Sequence, residues 1–269
     1  MLLSTLILQV LAATAVFAIP TSRERHAQRV ARRAAGDRSS HPAQIVPRPS
    51  SVASKTNVTQ TEYSTNWAGA ILVAGANTYK SVTGTFVVPT PREPSGASGS
   101  HSASAWVGID GDTCQTAILQ TGVDFTINNG VASYDAWWEW FPDGAYDFSG
   151  FVINAGDTIT ATVTATSTTS GTASITNWST GLEVIAELEH PYALCEENAE
   201  WIVEDYSVNG GLVPFANFGT VTFTDASAGT GSGTVGPSGA TIIDIVANGE
   251  VITSASAGSS SVTVSYTGP

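Results

Sequence analysis

Positive charge is what this chain runs short of, and what it has is placed lopsidedly. Of ten Lys and Arg in 269 residues, eight lie between Arg23 and Lys55. Beyond residue 56 only Lys80 and Arg92 remain, against 21 of the 23 Asp and Glu. A body so poor in cations cannot be held together by ion pairs. It offers nothing to nucleic acid, whose phosphates need Lys and Arg, and nothing to an anionic membrane surface. Its carboxylates repel one another at neutral pH and lose that repulsion as they protonate. The composition therefore points to a body built for acid, preceded by a separate basic segment.

Histidine and cysteine are scarce as well. Past the basic segment only His101 and His190 occur, in stretches with no nucleophile motif, and there is no G-x-S-x-G. A Ser-His-Asp triad is not expected on that ground, and its imidazole would be protonated in acid anyway. No His/Cys cluster has metal-ligand spacing, so no metal and no cofactor is expected. Paired D-T/S-G motifs of the usual acid proteases are missing; Asp110-Gly-Asp112-Thr113 has the wrong order and a single copy. The two cysteines, Cys114 and Cys195, are expected to pair in an oxidising compartment. The loop they close, about 80 residues, corresponds to roughly 4 kcal/mol in the chain-entropy model.

What is present falls into three stretches. Residues 1–18 form an apolar run ending Val16-Phe17-Ala18, the pattern of a cleaved secretory signal; a membrane anchor is the lesser reading, since no second hydrophobic span follows. The protein is therefore expected outside the cell. Residues 19–55 read as a basic propeptide in which Arg25, Arg29 and Arg33 recur at helical spacing. It is either a spacer or, as the opposed charges favour, an inhibitor lying across the acidic body and released when carboxylates protonate. Residues 56–269 read as one domain of short strands. Thr, Ser, Val, Ile and aromatics alternate with period two at 83–89, 132–141, 157–166, 219–225 and 261–266. Turns such as Asn128-Asn129-Gly130 and Pro142-Asp143-Gly144 separate strands, and a surface loop is expected near 90–103. No helical period of useful length appears. The fold class is all-β: an antiparallel β-sandwich of two large bent sheets, jelly-roll or lectin-like. Asn57-Val-Thr and Asn177-Trp-Ser are possible glycosylation sites.

An acid hydrolase without His or metal must work with carboxylates and amides. Two segments supply them: Trp106–Gly122, containing Gln120, and Asn198–Tyr206, containing Glu204. Each lies close to one cysteine, so the disulfide would hold them at a set separation. Gln120 alternates with Ile118, Gly122 and Asp124 on one strand face, and Glu204 with Ile202 and Glu200 on another. Such a pair suits amide hydrolysis. The carboxylate takes a proton from the attacking water and returns it to the leaving amine. The amide stabilises the oxyanion and does not titrate, so it works at low pH.

These segments resemble the glutamic peptidases (eqolisins). The likeness spans nearly all of 61–269. It includes YSTNWAGAIL (63–72), GTFVVP (84–89), ASAWVGIDGDTCQTAILQTGVDF (103–125), YDAWWEWFPD (134–143), CEENAEWIVEDY (195–206) and LVPFANFGTVTFTDA (212–226). The resemblance implies a secreted, pepstatin-resistant acid endopeptidase made as a precursor, with Gln120 and Glu204 as the catalytic dyad. It implies protein or peptide substrates, the chain's own propeptide as inhibitor, and Trp106, Asp110, Asp124, Trp138 and Glu139 as cleft lining. For Trp106 and Trp138 core packing is the competing reading; for Asp110 and Asp112 it is turn formation. Trp138 replaces a family Tyr, and the short loop Arg92–Ser102 implies one uncut chain, expected as a monomer. The rival reading is a jelly-roll glycoside hydrolase using Glu139 and Glu204 among Trp137, Trp138, Trp140 and Trp201. A non-catalytic carbohydrate-binding sandwich is a second rival, but it leaves the basic segment unexplained.

Overall fold

The computed structural model describes residues 38–50, 52 and 61–269. The signal segment, the Arg25/Arg29/Arg33 repeat and the Asn57 sequon lie outside the described residues. Within them the secondary structure is all strand and turn, with no α-helix. Two large sheets make a sandwich, as the period-two pattern implies. One runs in the order Leu182–Glu189, Ser170–Asn177, Thr158–Ser167, Tyr79–Val87, Thr220–Thr230, Val262–Tyr266, Thr253–Ala257. The other runs Ile45–Val46, Thr61–Ser64, Thr241–Ala247, Trp67–Val73, Asn198–Glu204, Ser100–Ile109, Ile118–Asn128, Val131–Phe141, Tyr146–Asp147. Neighbouring strands are antiparallel except Thr61–Ser64 with Thr241–Ala247.

Alternation decides which side chains enter the sandwich. From the second sheet Ala103, Ala105, Val107, Leu119, Val123, Phe125, Ala136, Trp140, Ala199, Trp201 and Val203 pack inward. They meet Val82, Phe86, Ile159, Ala161, Val163, Val221 and Phe223 of the first sheet. Trp201 reaches across and donates its indole N–H to the Thr83 carbonyl at 2.8 Å. Gly84 makes room for it: a Cβ there would stand 3.0 Å from Trp201 Cδ1. The other face of the second sheet carries a smaller cluster of Trp67, Ile71, Trp106, Ile118, Trp137, Ile202 and Ile243, joined by Ala43 from the N-terminal segment. That face also carries the candidate site.

Local turns follow the sequence cues. The hairpin joining Ile118–Asn128 to Val131–Phe141 closes through Asn129 (φ 49°) and Gly130 (φ 80°). Two positive φ values define the tight turn that matches strand twist, and Asn-Gly adopts it at low cost. The loop expected at 90–103 is shorter, because Ser100 already begins a strand paired with Asn128. The Asn177 expectation is corrected. Its side chain is fully buried, accepts the N–H groups of Ser179 and Thr180 and donates to Asp157, so it forms a turn and has no room for a glycan.

Cys114 and Cys195 are bonded, with Cα atoms 6.1 Å apart and a separation of 81 positions in sequence. Beside the disulfide two turns cap each other. The Asp110 carboxylate accepts the N–H groups of Cys195, Glu196, Glu197 and Asn198 at 2.7–3.2 Å. The Asn198 carboxamide oxygen accepts those of Asp112, Thr113 and Cys114 at 3.0–3.4 Å. Replacing both cysteines by Ser is expected to lower Tm by about 10 °C, from ~4 kcal/mol of lost loop constraint. Thermal unfolding followed by far-ultraviolet circular dichroism checks it; an unchanged Tm would show that the turns alone suffice.

Candidate active site

Four neighbouring strands build the site, and their register decides its contents. Across Asn198–Glu204, Ser100–Ile109, Ile118–Asn128 and Val131–Phe141, three rows share one face: Glu200, Gly108, Gln120, Glu139; then Ile202, Trp106, Gly122, Trp137; then Glu204, Ser104, Asp124, Asp135. The candidate amide and carboxylate thus stand on the same face, on strands separated by one other. Two glycines leave space over the middle. A Cβ on Gly122 would fall 2.5 Å from Trp106 Cβ, and one on Gly108 2.7 Å from Trp106 Cζ3. The Trp106 indole lies in that space and donates its N–H to Glu204 Oε2 at 2.9 Å. Trp67 meets Trp106 edge to face at 4.9 Å.

The N-terminal segment lies over this face and seals it. Arg38 makes two bonds to Asp124, Nε to Oδ2 at 2.9 Å and Nη2 to Oδ1 at 2.8 Å, and a third from Nη1 to Glu139 Oε2 at 3.1 Å. Its guanidinium sits 3.7 Å above the Trp137 ring centroid and 4.6 Å from that of Tyr206. Such a planar fork between carboxylates and rings is a strong cation seat. The Ser40 N–H and the Ser39 hydroxyl bond Glu139, and the His41 N–H bonds Glu204 Oε1 at 3.2 Å. Asn66 holds the strand that follows: its Nδ2 donates to the His41 and Pro42 carbonyls, and its Oδ1 accepts the Gln44 N–H. The Ala43 N–H donates to the Gly111 carbonyl. Gln120, Glu139, Glu200 and Glu204 are in consequence fully buried. Among the described residues the Gln120 carboxamide makes no direct hydrogen bond, to Glu204 or to any other group.

Burial sets the electrostatics. It pushes Glu204 up to about 7, against the opposing pull of Arg38, Ser40, the His41 N–H and Trp106. Burial likewise raises Glu139, with Arg38 as the main opposing influence. His41 is lowered, first by burial and then by Arg38. Asp205, next along the chain from Glu204, is pushed up to about 8 by burial and by the Glu204 charge.

The other expected lining residues divide. Trp106, Asp124 and Glu139 are on the cleft face. Trp138 is not: it points to the opposite face, stacks on Tyr146 at 4.5 Å and packs against the main core. Trp137 takes the cleft position, under Arg38, with its indole N–H on Ser104 Oγ. Asp110 caps the 195–198 turn. It lies near the two sulfurs of the disulfide, but these are bonded to each other and its oxygens are filled by the four N–H groups, an arrangement that leaves no donor for a metal. Asn66, Ser104, Trp137 and Tyr206 were missed as site residues. Strict period-two counting from Glu139 would have picked out Trp137.

The peptidase A4 family pattern matches residues 65–266. This chain belongs to the peptidase A4 family. It is 48% identical to aspergillopepsin-2 of Aspergillus niger over 98% of this chain and 99% of that protein. It is 39% identical to scytalidopepsin B of Scytalidium lignicola over 79% and 82% of the two chains. A crystal structure of scytalido-glutamic peptidase with a transition state analog inhibitor superposes with a TM-score of 0.68 at 41% identity, covering 75% of this chain and 98% of that one. Aspergilloglutamic peptidase from Aspergillus niger superposes at 0.60 with 56% identity, over 62% and 99%. The fold of this A4 peptidase is the sandwich of those structures.

The Trp106 contact yields a prediction. A donor to the ionised carboxylate lowers its pKa, so its loss raises it. Trp106→Phe is expected to move the acid limb of the activity profile of the A4 peptidase upward by about one pH unit, the size of one charge-assisted bond. A pH–rate profile of the purified variant decides it; an unmoved limb would mean that the indole N–H does not act on Glu204.

Proposed function

We propose that the protein is a secreted acid endopeptidase that hydrolyses peptide bonds with Gln120 and Glu204. The observation that carries this reading is that a stretch of peptide backbone, residues 38–43, already lies across the face holding both groups, with its N–H groups on the carboxylates. In the reaction a water replaces that backbone. Glu204 takes a proton from the water as its oxygen adds to the scissile carbonyl carbon. The Gln120 Nε2 donates to the resulting oxyanion. Glu204 then passes the proton to the amide nitrogen, the C–N bond breaks, and a carboxylic acid and an amine leave. Peptide-like inhibitors bound to the scytalido-glutamic enzyme agree with a cleft of this kind. A glycosidase reading of Glu139 with Glu204 has no support in these likenesses, and Glu139 here accepts from Arg38, from the Ser39 hydroxyl and from the Ser40 N–H.

Glu204→Gln or Gln120→Ala is expected to lower casein digestion at pH 2–4 by at least about a hundredfold, with unchanged circular dichroism, and pepstatin is expected to leave the native enzyme uninhibited. Full activity in either variant refutes the dyad.

Residues 38–46 are proposed to act as the inhibitory part of the propeptide. Glu204 is occupied by the His41 N–H where the attacking water would stand, so the segment blocks the site without being cut. The acid trigger differs from simple loss of carboxylate charge. Glu204 is raised in the closed form, so proton uptake by Glu204 favours closure as pH falls from about 7 toward the ordinary carboxylate range. His41 has the opposite sign. Its pKa is lower when closed than when free, so protonation below about 6.5 favours opening. A peptide of residues 38–50 is expected to inhibit the mature enzyme at pH 6, with Arg38→Ala weakening it at least about tenfold. His41→Phe is expected to keep inhibiting to lower pH than the native peptide. Inhibition constants against pH test both, and equal pH dependence of the two peptides would remove His41 from the trigger.

A further inference from the structure

Glu200 is the one acid among the described residues with both carboxyl oxygens buried and without a hydrogen-bond partner. Other buried acids are better supplied. Asp110 accepts four N–H groups, Glu204 accepts the Trp106 indole and the His41 N–H, and Asp244 accepts the Thr253 hydroxyl. Asp205 leaves a single oxygen without a partner. The walls around Glu200 belong to the sandwich itself. Ile71 and Gly108 stand opposite it on the two neighbouring strands, and Ile71 is fully buried. The Trp106 indole lies over Gly108, where a Cβ would come 2.7 Å from its Cζ3, and closes the direction toward Gln120. The Trp106 N–H is engaged by Glu204, and the Trp67 N–H is buried without a partner, so neither indole donates to Glu200.

The surrounding charge also opposes an ionised form. Asp110 and Asp112 face Glu200 from the 110–112 turn. Glu62 acts in turn on Asp112, and the Tyr79 phenol feels Glu200 from the other sheet. No cation stands among these groups: Lys80 is bonded to Glu196, and Arg38 to Asp124 and Glu139. A neutral acid can be buried at modest cost, but a carboxylate without a partner cannot. Burial first, and then the two Asp, hold Glu200 well above the ordinary carboxylate range. The folded chain therefore keeps this proton to higher pH than the unfolded chain does. Stability from such a group is complete below the ordinary carboxylate range. It falls as pH rises toward the raised value, with the unfolding constant growing about tenfold per pH unit.

We propose that Glu200 is a pH-sensitive switch built into the fold: its ionisation, in a site with no donor and no cation, loosens the sandwich as the medium turns neutral and so confines the enzyme to acid. Repulsion among surface carboxylates acts in the same direction, but it is spread over many groups and fades with salt. A buried carboxylate is screened far less. The switch does not depend on the roles given to Gln120 and Glu204, so it stands or falls apart from the proposed reaction.

The test uses the full chain with Glu200→Gln and, separately, Glu200→Met. Both side chains fill similar volume and neither ionises. Tm is followed by circular dichroism from pH 4 to pH 7, at low and at high salt. The Tm of Glu200→Gln minus that of the native chain is expected to rise by at least about 5 °C over that range, the effect of removing one proton-linked step. The rise is expected to be the same at both salt concentrations. Reading the change with pH sets aside any constant cost of a buried amide. The half-life of casein-digesting activity at pH 7, assayed after return to pH 3, is expected to lengthen at least about tenfold. Parallel Tm curves, as enclosed water hydrating the carboxylate would give, overturn the proposal, and so does a divergence that salt abolishes. If Glu200→Gln does not fold, Glu200→Met is judged by the same difference.

Discussion

The pleat of four adjacent strands is the constraint on which the rest depends. Successive side chains must point to opposite faces. Ala199, Trp201 and Val203 need the sandwich interior, so Glu200, Ile202 and Glu204 have to face the other way. The same holds for Val123 and Phe125 against Gln120, Gly122 and Asp124. Hydrophobic packing on one side thus sets the position of every polar group on the other. A slip of one residue would exchange core for cleft face, and for that reason the register is strongly specified. The capped turns of Asp110 and Asn198, with the disulfide between them, secure the ends of the strands that carry the pair.

Placing many acids on one face has an energetic consequence. Taken out of water, carboxyls cannot all stay charged. The ionised form of Glu204 is favoured by Arg38, the Ser40 side chain, the His41 N–H and the Trp106 indole N–H, against burial. Arg38 is half the answer to the lopsided charge seen in the sequence. A body that lacks cations borrows one from its own N-terminal segment, and the guanidinium settles between Asp124 and Glu139 over Trp137. Arg38 and the described residues after it belong to the same compact unit as the sandwich. They add short edge strands at Arg38–Ser39 and Ile45–Val46.

Much of this was legible beforehand, and the physical reasons are plain. Thr alternating with Ile, Ala and Val at 158–167 reads as a half-buried strand, and Asn129-Gly130 as the closure of a tight hairpin. Two cysteines in a secreted-type chain can pair only with each other. Where the reading failed, local chemistry was overruled by neighbours distant in sequence. Trp138 was taken as cleft lining from the family resemblance, but its parity with Ala136 and Trp140 sends it inward. Asn177 carries a sequon, but Asp157 and two N–H groups claim its amide.

Residue order by itself determined the strand period, the sandwich class, the disulfide and the candidate pair, because each follows from local alternation, from elimination or from likeness of long segments. Only the tertiary structure decided which polar groups meet. That Asp124, Glu139 and Arg38 converge, and that Trp106 reaches Glu204 across the space over Gly108 and Gly122, depend on strand order and register. These arise from packing two whole sheets together, and no short window of sequence contains them.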